Sequence, residues 1–87
     1  MTQEQVLQQI RAERALQDAR WGPPADHRIG NASRLAILLQ QVGHVAECIN
    51  KLRHGDATLS HNALEARLKE ELIRCAAETT AWLEVLP

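Results

Sequence analysis

Apolar residues along the chain recur at steps of three and four, the period of a helix that hides one stripe from water. Val6, Leu7, Ile10 and Leu16 carry the pattern over about residues 2–20, with Thr2 as the expected N-cap. Trp21-Gly22-Pro23-Pro24 ends that helix, because glycine accepts a left-handed cap and proline lacks the N–H that a helix needs. A second helix begins at Asn31 or Ser33, either of which can cap it, and runs to about His54, before Gly55. Its Leu35, Leu38, Val42, Val45, Ile49 and Leu52 are spaced 3, 4, 3, 4, 3, a bundle seam widened by Leu39 and Ala46. A third helix, capped by Asp56, Thr58 or Ser60, reaches about Leu86. Leu64, Leu68, Leu72, Cys75, Thr79, Trp82 and Leu86 recur along it at spacings of three or four. No strand period or internal repeat appears, and GPPADHRIG is the only substantial loop.

The expected fold is all-α, a three-helix chain in which the short link makes the second and third helices a long antiparallel hairpin. Eighty-seven residues form one domain, 1–87, with a modest core. A hairpin with one extra helix leaves part of a long seam uncovered. A homodimer or homotetramer completing a four-helix core is therefore the expected assembly, with a monomeric three-helix bundle as the alternative.

Composition narrows the function classes. The net charge is −1, which offers no basic field for nucleic acid. Arg11, Arg14, Arg20, Arg28 and Arg34 enrich the first third of the chain, but acids interrupt them and they read mainly as solvated helix faces. Phe and Tyr are absent and only two Trp are present, too few aromatic faces for a base-stacking platform. No apolar run approaches the roughly 20 residues that span a membrane. The N-terminus MTQEQVLQQIRAER is polar and acid-containing, unlike a secretory signal, so the expected location is cytoplasmic. Cys48 and Cys75, without CxxC spacing, then read as reduced, buried, small apolar residues.

The chemistry-bearing residues fall in three segments. ERALQDARWGPPADH, LAILLQQVGHVAECIN and LKEELIRCAAETTAWLEVL, in that order, resemble the small MazG-like proteins. These belong to the all-α nucleoside triphosphate pyrophosphohydrolase superfamily, common in bacteria and phages. The resemblance runs from about Glu13 to Leu86. Its most specific marks are Arg20-Trp21-Gly22 followed by His27, the Val42-Gly43 step, and Glu70-Glu71-Leu72 leading into Ala76-Ala77 and Ala81-Trp82-Leu83.

That resemblance implies a Glu-Glu-x-x-Glu motif on the second helix and a Glu-x-x-Asp motif on the third, together holding Mg²⁺. The ion would hold the triphosphate and activate water to cut between the α and β phosphates. Such spacing converges carboxylates from two facing helices on hard cations, which neutralise phosphate charge and acidify water. On this chain the family positions are Gln40, Gln41, His44, Glu71 and Arg74. One carboxylate of five remains, with Glu47 as a possible extra ligand. A Gln amide brings no charge, imidazole is a poor ligand for Mg²⁺, and Arg74 puts a fixed positive charge where a cation should sit. The resemblance also borders a nucleotide pocket with His27. Trp21 reads as that pocket's wall or as a hydrophobic plug, and Gln17 and Arg20 as its polar lining.

The resulting expectation is a MazG-like nucleotide-binding domain whose catalysis is impaired or lost. The alternatives are an active metal-dependent enzyme with a Gln/His-substituted site, using Mg²⁺, and a non-enzymatic helical interaction or regulatory module. His44 with Cys48, and Glu71 with Cys75, lie at i, i+4 and could also suit Zn²⁺, although packing of both cysteines in the core is the simpler reading. His54 and His61 read as solvated, and Trp82 as core.

Overall fold

A computed structural model describes residues 1–24 and 29–87. It contains three helices, α1 (Gln3–Trp21), α2 (Asn31–His54) and α3 (His61–Val85), and no strand among the described residues.

Local chemistry accounts for the helix ends. Thr2 caps α1 in a reciprocal box: its Oγ1 accepts from the Gln5 N–H at 3.2 Å, and Gln5 Oε1 accepts from the Thr2 N–H at 2.8 Å. Gly22 ends the helix at φ +83°, a backbone region that side-chain-bearing residues rarely enter. The start of α2 departs from expectation. Gly30 occupies the N-cap without a side-chain bond. The Asn31 side chain instead accepts a hydrogen bond from Trp82 Nε1 at 2.9 Å. Ser60 caps α3, accepting from the Ala63 N–H at 3.1 Å. Asp56 braces the preceding turn. Its Oδ1 accepts from the Thr58 N–H, the Thr58 hydroxyl and the Leu59 N–H at 2.7, 2.7 and 2.8 Å. This turn carries the chain from Gly55, at φ +84°, into α3.

Packing is centred on α3, which lies against both α2 and α1. Asn31 at the start of α2 meets Trp82 near the end of α3, and Gln41 midway along α2 meets Glu71 midway along α3. Leu64, Ala77 and Ala81 of α3 and Cys48 of α2 are the buried apolar residues, and no large side chain is wholly enclosed among the described residues. The expected seam of α2 divides in two. Leu38, Val45 and Leu52 are half-buried, while Leu35, Leu39, Val42 and Ile49 are exposed. Leu72 of α3 and Leu86, just past its end, are exposed rather than inside, while the small residues Ala77 and Ala81 are buried. Arg14 and Arg34 correct the reading of the arginines as solvated, for both are buried.

Candidate functional site

All three helices wall one cleft of about 710 Å³. From α1 come Glu13, Arg14, Gln17, Asp18, Arg20 and Trp21; from α2, Arg34, Ile37, Gln40, Gln41 and His44; from α3, Arg74, Glu78 and Ala81. Gln17, Arg20, Trp21, Gln40, Gln41, His44 and Arg74, singled out from sequence, thus share one concavity. Its size suits a small-molecule ligand. His27 lies outside the described residues.

Glu71 does not line this cleft but stands behind its Gln41, His44 and Arg74, 6% exposed, and its carboxylate is surrounded by donors. Gln41 Nε2 donates to Oε2 at 2.6 Å and Arg74 Nη1 to Oε1 at 3.0 Å. His44 Nδ1 stands 3.6 Å from the same Oε2. Arg74 also reaches Glu13 at 3.8 Å. A hard divalent cation takes six or more oxygen ligands, whereas both oxygens of Glu71 are engaged by N–H groups. Glu47 pairs with Lys51 at 3.2 Å and borders a smaller hollow together with His44, Cys48, Lys51, Arg67 and Glu71.

No three His, Cys, Asp or Glu side chains gather in a metal-holding group among the described residues. His44 and the buried Cys48 border the smaller hollow with Glu71, and burial, followed by the charges of Glu71 and Glu78, pushes the Cys75 thiol up.

The opposite wall is a network around Arg14. Its Nε and Nη2 donate to the two oxygens of Glu84 at 2.6 and 3.0 Å, and Nη1 donates to Gln17 Oε1 at 3.1 Å. Asp18 Oδ1 lies 2.9 Å from the same Nη1, at an angle suited to charge pairing more than to an aligned hydrogen bond. Arg14 holds the Glu84 carboxyl below its usual range. Gln17 in turn donates to Glu78 Oε1 at 3.3 Å. Burial pushes Glu78 up, opposed by the positive charges of Arg34 and Arg14.

Arg34 is the residue that sequence reasoning missed. It is 5% exposed, and its Nε and Nη2 have no acceptor among the described residues. A signal for it did exist: Arg34 precedes Leu38, Gln41, Val45, Cys48 and Leu52 at steps of four and three, the stripe of α2 that turns inward. Trp21 stands at the mouth of the cleft, 68% exposed, as a wall and not a plug. Trp82 is half-buried and ties α3 to the start of α2.

No protein-family model, curated protein or solved structure matches the chain. No helix among the described residues is long and apolar enough to cross a membrane.

Proposed function

We propose that this chain is a MazG-like nucleotide-binding domain, related to nucleoside triphosphate pyrophosphohydrolases, in which metal-dependent catalysis is impaired or lost. One observation carries the reading. Glu71, the single family carboxylate left, is held by Gln41 and Arg74, two residues standing where the family places metal ligands. The guanidinium neutralises the carboxylate as a cation would, without offering water a site for activation. The cleft itself is kept, together with Gln17, Arg20 and Trp21 on its wall, which supports binding.

Calorimetric titration with nucleoside mono-, di- and triphosphates, alongside an assay of pyrophosphate release with Mg²⁺ and with Mn²⁺, tests this. Binding without turnover is expected. Metal-dependent turnover that Glu71→Gln abolishes would restore the enzyme reading, with Gln40, Gln41 and His44 as working ligands.

Assembly belongs to the same proposal. The pairings of Asn31 with Trp82 and Gln41 with Glu71 support an antiparallel α2–α3 hairpin. Leu35, Leu39, Val42 and Ile49, exposed along α2, support a second copy packing there to complete a four-helix core in a homodimer or homotetramer. The same stripe favours the second reading, a helical interaction module.

A further inference from the structure

Among the described residues, Arg34 Nε and Nη2 have no hydrogen-bond partner that would explain the burial of this side chain. Placing a guanidinium out of water is costly unless acceptors surround it, yet Nε and Nη2 meet none among the described residues. Glu78 and Glu84 attract it through space, but neither forms an ion pair with it, since Arg14 engages Glu84 and Gln17 engages Glu78. The two unpartnered nitrogens form the side-on edge of the guanidinium, the fork that matches two oxygens of one oxyanion. That edge belongs to a residue lining a cleft of about 710 Å³.

Charge narrows the class of ligand. Among the described residues four arginines line the cleft. Arg14 is paired with Glu84 and Asp18, and Arg74 with Glu71 and Glu13. Arg34 and the exposed Arg20 form no such pair among the described residues, although Glu78 on the same wall attracts Arg34 through space. With Glu13, Asp18 and Glu78 set against the arginines, the cleft carries little net charge. That suits a phosphate monoester, which carries about −2 near neutral pH, better than a triphosphate, whose larger charge would need a metal ion to offset it. Trp21 adds an exposed aromatic face on which a flat ring can stack.

We propose that Arg34 is the anion-binding group of the cleft, gripping the phosphate of a nucleoside monophosphate directly through its guanidinium with no divalent cation between them. Only the nucleoside part of this ligand rests on the functional reading above; the phosphate site stands on Arg34 itself.

Calorimetric titration in EDTA, with inorganic phosphate, a nucleoside 5′-monophosphate, the matching triphosphate and the unphosphorylated nucleoside, tests the site. The monophosphate is expected to bind more tightly than either inorganic phosphate or the triphosphate. Arg34→Met is expected to weaken it about tenfold or more, while the ligand-free Tm holds or rises because an unpartnered buried charge has gone. Arg34→Lys keeps the charge but lacks the fork, so it should lose affinity too. Arg34-dependent binding of inorganic phosphate with no gain from the nucleoside would support the anion site and overturn the nucleotide reading. Nucleotide binding that requires Mg²⁺ and is unchanged in both variants would overturn the anion site and leave the nucleotide reading standing. No binding by any of the four probes at millimolar concentration would overturn both.

Discussion

Glu71 stands where the sequence resemblance implies a metal ligand and is engaged by protein donors. Its place in the chain marked it as a candidate ligand, and the structure surrounds it with Gln41, Arg74 and His44. A carboxylate so buried and so paired contributes to stability, since hydrogen bonds to a charged group each contribute about 1.5–3 kcal/mol. Glu71→Ala is therefore expected to lower the unfolding free energy by roughly 1–3 kcal/mol, with or without Mg²⁺ in the buffer, as read by urea denaturation. A variant whose stability differs from wild type only in the presence of Mg²⁺ would show a metal ligand instead. Gln40, Gln41, His44, Glu71 and Arg74 stood out through the resemblance to a known family, and residues three and four apart then share a helix face. Arg34 was much harder to see. A charged residue on an inner stripe looks like a boundary of that stripe until tertiary packing encloses it.

At the scale of the elements, the turn between α2 and α3 is built around one carboxylate. Three donors converge on Asp56 Oδ1, and Lys51 lies 3.6 Å from Oδ2. The hydroxyl and backbone bonds of Thr58 lead in holding its pKa well below the ordinary aspartate range, with the Leu59 N–H adding to them. A depressed folded value means that the stabilisation is fully present above the unfolded value near pH 4 and fades as pH falls from there toward the folded one. Asp56→Ala should accordingly lower the Tm at neutral pH, and the gap from wild type should narrow steadily below about pH 4. Thermal melts at a series of pH values would check this, and a gap constant down to pH 2 would remove the carboxylate from the explanation. Asp56, Thr58 and Ser60 could not be ranked as caps from sequence, because all three are favoured N-cap residue types. Which one caps α3 depends on where the chain enters the helix, and that follows from how α2 and α3 pack.

The whole molecule spans 43 × 29 × 20 Å, elongated and thinly filled. Ala77 is fully buried at the centre of α3, whereas most of the large apolar side chains stay partly in water. Covering Leu35, Leu39, Val42 and Ile49 would remove apolar area worth about 25 cal/mol per Å², which is a driving force for self-association. Sedimentation at micromolar concentration is expected to give a dimer or tetramer, with a Tm that rises with protein concentration. Leu39→Glu combined with Val42→Glu should reduce the mass to that of one chain while helicity is kept. A wild-type protein that sediments as a monomer at all concentrations would remove the second copy from the picture.

The apolar period, the glycines and the prolines by themselves determined three helices and their approximate ends, because helix formation and termination depend on residues only a few positions apart. The spacing of Gln40, Gln41 and His44 likewise placed them together on one face. Only the tertiary structure decided which half of the α2 seam turns inward, that Ala77 and not Leu72 lies in the core, and that Arg14 finds Glu84 seventy residues away. It alone left Arg34 enclosed, with no acceptor among the described residues for Nε and Nη2. The reason is the range of the forces: capping and periodicity act within a turn or two, while burial and pairing depend on neighbours that the chain brings together only when it folds.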